Sequence, residues 1–274
     1  MDIKAFKMDG LGNDFVIIDQ RNQNFNLSKD QIIKICNRDF IGCDQLIFIQ
    51  KSEKKDAKLE FHNSDGSISG ACGNGTRCVA DFLSKENNDK EIVLWTSSGA
   101  LKSKILGNNL VETEIGIAKT NWKEIPLNKD LDTKNLNIKI VSKDNVEHIG
   151  GTSINVGNPH VVFFVDNIED YDLKKIGPEI ENHNYFPEKC NVTLAKVMNK
   201  NLIKVKVWER GAGLTKACGT AACATAVAAS INGLTDKKTD IEFALGKLSI
   251  SIDKNNNIHM KGPVSNIKNI EIKI

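Results

Sequence analysis

The sequence predicts an α+β fold of two pseudo-symmetric lobes, each a curved, mostly antiparallel β-sheet or barrel wrapped around one central α-helix. Three observations favour this fold. Short apolar or alternating segments of strand length are separated by glycine-rich turns. A pattern that begins at Gly12 returns at Gly157. Each copy also contains a Cys-Gly pair directly before a run that can be helical, at Cys72 and Cys218.

The elements of the first lobe follow from local patterns. Its strands are predicted over residues 3–8, 15–19, 45–50, 59–63, 92–96, 100–106 and 110–115. Ser28 is predicted to cap a short helix over residues 29–37, and a charged hairpin is expected at residues 51–58. A second helix is predicted over residues 74–84, with Val79 on its apolar face. This helix directly follows the first Cys-Gly pair.

The second lobe repeats the first at a nearly constant offset of 145 or 146 residues. The paired landmarks are Gly12–Asp19 with Gly157–Asp166, Cys72 with Cys218, Gln45 with Asn191, and Asn63 with Glu209. Four matches in one register indicate duplication. The run Ala221–Ser230 has almost no polar face, which predicts a helix buried on all sides and ended by Gly233. We expect an N-terminal lobe over residues 1–118, joined by a returning strand at 263–274, and a C-terminal lobe over 119–262.

Composition narrows the class of protein. The 37 basic and 35 acidic side chains leave a net charge of +2, and the basic residues are scattered, so neither nucleic acid nor a membrane surface is an expected partner. The N-terminal residues carry no secretory apolar segment, and the longest apolar run is too short to cross a bilayer. The seven cysteines include no CxxC pair for zinc. We expect a cytoplasmic protein with reduced thiols and no metal site.

The two Cys-Gly motifs indicate acid–base chemistry. A cysteine at a helix start lies near unpaired backbone N–H groups and the positive end of the helix dipole, and both lower a thiol pKa. Two such thiols in one chain suggest two acid–base groups that act on one substrate. Cys72 and Cys218 are therefore predicted to be the catalytic pair, facing each other across a cleft, with coupled protonation states. The remaining cysteines are interpreted as core or near-surface thiols: Cys36, Cys43, Cys78, Cys190 and Cys223.

Several motifs, in this order and spacing, resemble those of diaminopimelate epimerases. They are Gly10-Leu11-Gly12-Asn13-Asp14-Phe15, Asp44-Gln45, Ala71-Cys72-Gly73-Asn74-Gly75-Thr76-Arg77-Cys78, Gly157-Asn158-Pro159-His160, Phe186-Pro187 with Asn191, Glu209-Arg210-Gly211-Ala212-Gly213, and Ala217-Cys218-Gly219-Thr220. The resemblance covers essentially the whole chain. It implies a cofactor-independent homodimeric enzyme that interconverts LL- and meso-diaminopimelate, on the route to lysine and peptidoglycan. It also implies the two-lobed fold, with the last strand returning to the first lobe.

The resemblance extends to the substrate-binding positions. The matching residues are Asn13, Gln45, Asn63, Gly73, Asn74, Asn158, Asn191, Glu209, Arg210, Gly219 and Thr220. Backbone N–H groups at the two helix starts are expected to bind the substrate α-carboxylate, and the Arg210 fork suits the distal carboxylate. Glu209 suits the distal ammonium, and His160 and Glu209 match positions that tune the two cysteine pKa values. Ala221 replaces a common glycine; its methyl could crowd the carboxylate, but we expect activity to survive.

Three other interpretations of the residues remain open. Proline racemases and hydroxyproline epimerases use a similar cysteine pair, although their Met-Cys-Gly-His motif is replaced here by Ala-Cys-Gly-Asn. A non-catalytic amino-acid-binding module would use the same thiols only for packing. A redox-switched protein would join them reversibly. Proton exchange at the α-carbon of diaminopimelate separates the first two from the epimerase hypothesis.

Overall fold

The computed structural model describes residues 2–23, 25–53 and 55–274. The chain has the predicted α+β class and forms two compact units, one of residues 1–114 with 261–274 and the other of residues 115–260. The predicted hairpin at 51–58 includes Lys54, which lies outside the described residues.

The described residues form groups of strands separated by single α-helices. Up to residue 117 the elements are β1 (Asp2–Gly10), β2 (Asn13–Asp19), α1 (Lys29–Cys36), β3 (Gln45–Gln50), β4 (Ala57–Asn63), β5 (Ile68–Ser69), α2 (Gly73–Asn87), β6 (Glu91–Thr96), β7 (Gly99–Gly107) and β8 (Leu110–Ile117). The later elements are β9 (Ile138–Val141), β10 (Glu147–Gly150), β11 (Thr152–Asn155), β12 (Pro159–Phe164), a 3₁₀ turn (Ile168–Asp170), α3 (Leu173–Glu181), β13 (Asn191–Asn199), β14 (Leu202–Glu209), β15 (Gly213–Thr215), α4 (Gly219–Ile231), β16 (Lys238–Phe243), β17 (Gly246–Ile252), β18 (Asn257–Pro263) and β19 (Lys268–Lys273).

The first unit is a mostly antiparallel sheet interrupted by two parallel pairs. β19 pairs with β1, β1 with β2, β3 with β4, β6 with β7 and β7 with β8, all antiparallel. β2 and β3 are parallel, as are β4 and β6. A parallel neighbour requires a crossover, and α1 and α2 supply these two crossovers.

The second unit repeats this topology. β11 pairs with β12, β13 with β14 and β16 with β17, all antiparallel. β12 and β13 are parallel, with α3 as the crossover, and β14 and β16 are parallel, with α4 between them in sequence. β9 and β10 form a separate hairpin. The predicted pseudo-symmetric α+β architecture is confirmed.

The apolar run in β2 reflects burial on both faces of the sheet. Phe15 and Ile17 pack in one core cluster with Val79 of α2. Val16 and Ile18 pack in another, on the side of α1. Successive strand residues point to opposite faces, so a strand covered on both faces is continuously apolar instead of alternating.

Each unit has one central helix. In α4 every residue of the run Ala221–Ala229 is buried, as its uniformly apolar sequence predicts. In α2 the buried residues include polar ones, notably Asn74, Arg77 and Asp81, and the helix ends at Asn88 in the left-handed conformation. The polar residues on the first turn of α2 are therefore interior groups that must find partners within the fold.

Several elements were not predicted from the sequence, α3 and the β9–β10 hairpin among them. α3 contains Gly177-Pro178, a pair typical of turns, which conceals the helical spacing of Leu173, Ile176 and Ile180. Asp172 is nevertheless its N-cap, and the Asp172 side chain accepts a hydrogen bond from Lys174 N. The β9–β10 hairpin lies where no strand was predicted.

Candidate active site

Cys72 and Cys218 occupy equivalent positions in the two units. Cys72 is the N-cap of α2, with φ −140° and ψ 111°, and Cys218 is the N-cap of α4, with φ −138° and ψ 117°. Neither cysteine side chain caps its helix by a hydrogen bond. The first-turn N–H groups of both helices, at Gly73-Asn74 and Gly219-Thr220, are thus in the arrangement that binds anions in other proteins.

In the first unit, Asn13, Cys72 and Asn74 form one hydrogen-bonded group. Asn74 Nδ2 donates to Asn13 Oδ1 at 3.1 Å, and the Cys72 sulfur lies 3.8 Å from the same oxygen. Asn13 Nδ2 donates to Asp44 Oδ2 at 2.9 Å. At the other end, the fully buried Arg77 donates through Nη2 to Asn74 Oδ1 at 3.0 Å. Since an arginine only donates and a carboxylate only accepts, both amide orientations are fixed, and an oxygen of Asn13 faces the thiol.

Gln45 and Asn63 form a second polar pair in the first unit. They lie directly opposite each other on β3 and β4, and Gln45 Nε2 donates to Asn63 Oδ1 at 2.8 Å. Asn63 Nδ2 in turn donates to Ser67 Oγ at 3.0 Å. The structure thus brings the first-unit candidates together in two groups, both at the ends of strands that adjoin α2.

In the second unit, Asn158, His160 and Asn191 cluster around the parallel β12–β13 pair. His160 and Asn191 are partners in the strand register. His160 Nε2 lies 2.8 Å from Asn158 Oδ1, which suits the neutral tautomer with its proton on Nε2. Asn191 Nδ2 donates to Pro159 O at 3.0 Å, and Asn191 Oδ1 accepts from Arg210 N at 3.0 Å.

His160 is uncharged in the folded protein. Its ring is completely buried, and burial together with the positive charge of Arg210 lowers the pKa of His160 to about 3. A buried neutral imidazole orients its neighbours through hydrogen bonds and carries no charge.

Cys218 lies in surroundings that keep it protonated. It is 6% exposed, and burial followed by the negative charge of Glu209 raises the pKa of the Cys218 thiol well above its ordinary value. Its sulfur lies 3.4 Å from Thr220 Oγ1, while Glu209 Oε1 accepts from Thr215 Oγ1 at 2.6 Å. The prediction that a helix start lowers both thiol pKa values is therefore wrong for Cys218, because desolvation and a nearby carboxylate outweigh the helix dipole.

The five other cysteines are buried and reduced. Burial raises the pKa of Cys78 and of Cys190. Cys43 and Cys36 contact each other, with 3.5 Å between their sulfurs. Their interpretation as core thiols is consistent with this burial.

Arg210 is held by groups that sequence reasoning did not single out. Its Nη1 donates to Glu188 O at 2.7 Å. Glu181, at the end of α3, accepts hydrogen bonds from Trp208 and from Gly211, the residues on either side of the Glu209-Arg210 pair. The duplication itself contains the missing signal. Shifting Cys36, the last residue of α1, by the offset of 145 gives residue 181.

The described part of the chain contains neither a metal-binding side-chain cluster nor a helix suited to span a membrane. Among the described residues, no group of three or more His, Cys, Asp or Glu side chains is arranged to hold a metal ion. Within the same residues, no helix has both the length and the apolar character that crossing a membrane requires.

Comparison with known proteins identifies the family. The diaminopimelate epimerase family model matches residues 5–121 and 152–267. The chain belongs to the diaminopimelate epimerase family. A diaminopimelate epimerase from Pelagibacter ubique (strain HTCC1062) is 77% identical over 274 residues, covering 100% of both chains. One from Acidiphilium cryptum (strain JF-5) is 38% identical over 260 residues, covering 94% of this chain and 92% of the relative. The resemblance seen in the motifs is confirmed, and the protein is an epimerase.

Solved structures confirm the fold over the whole chain. A phenazine biosynthesis protein from Bacillus anthracis superposes with a TM-score of 0.70 at 14% identity, covering 100% of both chains. A hydroxyproline epimerase from Agrobacterium vitis, with bound trans-4-hydroxy-L-proline, gives a TM-score of 0.70 at 10% identity and covers 99% of this chain and 91% of its own. At these identities the likeness establishes the fold alone.

Proposed function

We propose that the protein interconverts LL- and meso-diaminopimelate without a cofactor, by a two-base mechanism in which Cys72 and Cys218 are the acid–base pair. The observation that carries the proposal is the equivalent placement of these cysteines, each as the N-cap of the central helix of its own unit. Family membership supplies the reaction and substrate, a step toward lysine and peptidoglycan.

The different surroundings of the two cysteines support an assignment of roles. Burial and Glu209 raise the pKa of Cys218 and favour its thiol form, so Cys218 is the acid of the reacting pair. Cys72 is the base once it has lost the proton that its sulfur donates to Asn13 Oδ1 at 3.8 Å. The α-carbon C–H bond breaks and its proton passes to the Cys72 sulfur, leaving the electron pair on the carbon. The Cys218 S–H bond then breaks, and its proton adds to the opposite face. The product has the inverted configuration, and the pair is left with exchanged protonation, ready for the reverse reaction.

The helix starts supply stabilisation for the carbanion. Backbone N–H groups at Gly73-Asn74 and Gly219-Thr220 bind the α-carboxylate, into which negative charge spreads as the proton leaves. Asn13 carries an oriented amide beside Cys72 and completes this end of the site.

The distal end of the substrate is bound by the remaining polar candidates. Arg210 offers a guanidinium fork to the distal carboxylate, and Glu209 offers a carboxylate to the distal ammonium. The other side chains that bind the substrate are Gln45, Asn63, Asn158 and Asn191. Their amide groups lie in the hydrogen-bonded clusters described above, which hold them in fixed orientations.

Two residues tune the chemistry from beside the reacting groups. Glu209 raises the pKa of Cys218, which supports its predicted role in modulating that cysteine. His160 is neutral, so it acts by orienting Asn158. We further propose that the enzyme works in the cytoplasm as a homodimer, as the family resemblance implies; light scattering during size-exclusion chromatography measures the dimer directly.

Hydrogen exchange at the α-carbon tests the function. Wild-type protein with LL-diaminopimelate in D2O should incorporate deuterium at the α-carbon and form the meso isomer. Cys72→Ala and Cys218→Ala should each abolish epimerisation. Proline, run in parallel, should remain unexchanged. A wild-type protein that exchanges proline but leaves diaminopimelate unchanged would overturn the substrate assignment.

A crystal structure with a bound substrate analogue tests the mechanism separately. The proposal requires the two thiols to reach opposite faces of one carbon. Sulfurs of Cys72 and Cys218 on the same side of the bound α-carbon, or remote from it, would exclude the two-base mechanism while leaving the family unaffected.

A further inference from the structure

Glu181 is a buried carboxylate whose two oxygens serve different partners. It is the last residue of α3 and is 6% exposed. Its Oε2 accepts from Trp208 Nε1 at 2.7 Å, and its Oε1 accepts from Gly211 N at 3.1 Å. The ammonium of Lys189 lies 4.0 Å from Oε1. A buried carboxylate is stable only when such donors surround it, so all three contacts belong to one arrangement.

The two donors enclose the candidate substrate-binding residues. Trp208 immediately precedes Glu209, and Gly211 immediately follows Arg210. Gly211 has φ +75°, and Ala212 N donates to Glu209 O at 3.1 Å, so the chain turns sharply here. Glu181 therefore connects the end of β14 to the turn that follows it, and the two residues between are held at both ends.

The end of α3 also supports the opposite side of Arg210. Glu181 O accepts from Cys190 N at 3.3 Å, directly before Asn191. Asn191 Oδ1 then accepts from Arg210 N at 3.0 Å. Through its side chain and its backbone, Glu181 is thus linked to both segments that fix the position of Arg210.

We propose that Glu181 is a positioning residue that sets the direction of Arg210 toward the distal carboxylate of the substrate. The inference rests on the proposed function, because it concerns how that substrate is bound. Glu181 acts through Trp208 and Gly211 and does not itself touch the reacting atoms.

A glutamine at this position provides a nearly isosteric test. Its single oxygen can accept from only one of the two donors, and its NH2 group must face the other donor. Glu181→Gln should therefore loosen one end of the Glu209-Arg210 segment without changing the packed volume. The KM for LL-diaminopimelate should rise roughly tenfold, with kcat within about twofold, since the Cys72–Cys218 pair is unchanged.

Two further variants separate positioning from simple destabilisation. Glu179→Gln makes the same charge change on an exposed residue of the same helix and should leave KM unchanged. Trp208→Phe removes one donor and leaves the Gly211 bond, so its KM should rise less than that of Glu181→Gln. In Glu181→Gln, tryptophan emission should also shift, because the hydrogen bond to Trp208 Nε1 is lost or replaced.

The wild-type and variant results test the proposed function and the positioning role of Glu181 separately. Absence of α-carbon exchange in the wild type would overturn the proposed function. If the wild type is active, an unchanged KM in Glu181→Gln overturns the positioning role. If Glu181→Gln loses activity only through a fall in thermal stability, the KM of Trp208→Phe decides, and an unchanged KM there also overturns the positioning role. A raised KM with retained kcat supports the proposal.

Discussion

Replacing Gly177 by alanine tests how closely α3 packs against β14 in the second unit. An ideal Cβ at Gly177 would lie 2.4 Å from Trp208 Cδ2, 2.5 Å from Cγ and 2.8 Å from Cε3. These atoms belong to one rigid indole that also packs on the core cluster of this unit. A methyl group at this position must therefore displace either the helix or the whole ring.

The magnitude follows from two opposing contributions. Overpacking of this kind costs about 1–3 kcal/mol. Alanine gains up to about 1 kcal/mol over glycine in a helix interior, but Pro178 follows directly and disfavours helical geometry for a residue with a Cβ before it. We expect Gly177→Ala to lower the free energy of unfolding by about 1–2 kcal/mol, which corresponds to a Tm lower by roughly 2–8 °C.

Urea unfolding and calorimetry measure the change, with Lys175→Ala on the exposed face of the same helix as the control. A double-mutant cycle with Trp208→Ala isolates the contact, because the methyl should cost nothing once the ring is gone. If Gly177→Ala is as stable as the wild type, or gains the stability expected from helix propensity alone, the close contact with Trp208 is refuted.

Two predictions concern ionisation. The unfolded chain protonates His160 below about pH 6.5, whereas the pKa of His160 in the folded protein is about 3. The contribution of neutral His160 to the free energy of unfolding is therefore fully present above pH 6.5 and falls as the pH drops toward 3, by about 2 kcal/mol at pH 5. His160→Gln should flatten this dependence in urea unfolding measured at pH 8 and pH 5, and an equal pH dependence in both proteins would contradict it. Glu209→Gln should lower the pKa of Cys218 and so raise the rate at which iodoacetamide alkylates this thiol near neutral pH. Mass spectrometry of the labelled peptide measures that rate. An unchanged pH dependence of the alkylation rate would contradict the role of the Glu209 carboxylate.

Much of the fold follows from local sequence. The Ser28 cap, the apolar run of β2 and the uniformly apolar α4 each have a local physical cause, and the structure places all three as predicted. α3 was not predicted from local sequence, because Gly177-Pro178 masks its helical periodicity. Shifting α1 by the duplication offset would have located it.

The candidate site was predictable in position but not in electrostatics. Motif spacing located Cys72 and Cys218 at helix starts, and a helix start is a local feature. The pKa of Cys218 depends instead on burial and on Glu209, which reaches it only through the folding of β14. Likewise, Glu181 has no motif of its own, and its importance appears only when its partners Trp208 and Gly211 are seen together.

The duplication indicates where the Ala221 methyl group points. The equivalent residue of the first unit is Gly75, where an added Cβ would lie 2.7 Å from Ile47 Cδ1 and 3.0 Å from Phe61 Cε1. Those atoms belong to the core, and Ala221 is itself fully buried. By this equivalence the Ala221 methyl faces the core of its unit and not the N–H groups of the helix start, so we expect the second carboxylate-binding turn to be uncrowded.

The two helix starts have nearly identical geometry but unequal surroundings. Cys72 and Cys218 share backbone geometry, so the helix dipole acts on both sulfurs in the same sense. What differs is the neighbourhood: Cys72 is partly exposed, whereas Cys218 is buried near a carboxylate. Desolvation and a like charge both favour the neutral thiol. The proposed two-base mechanism requires one base and one acid at the start of each turnover, and under that proposal the unequal surroundings of the two cysteines distinguish the acid from the base without any change in the fold.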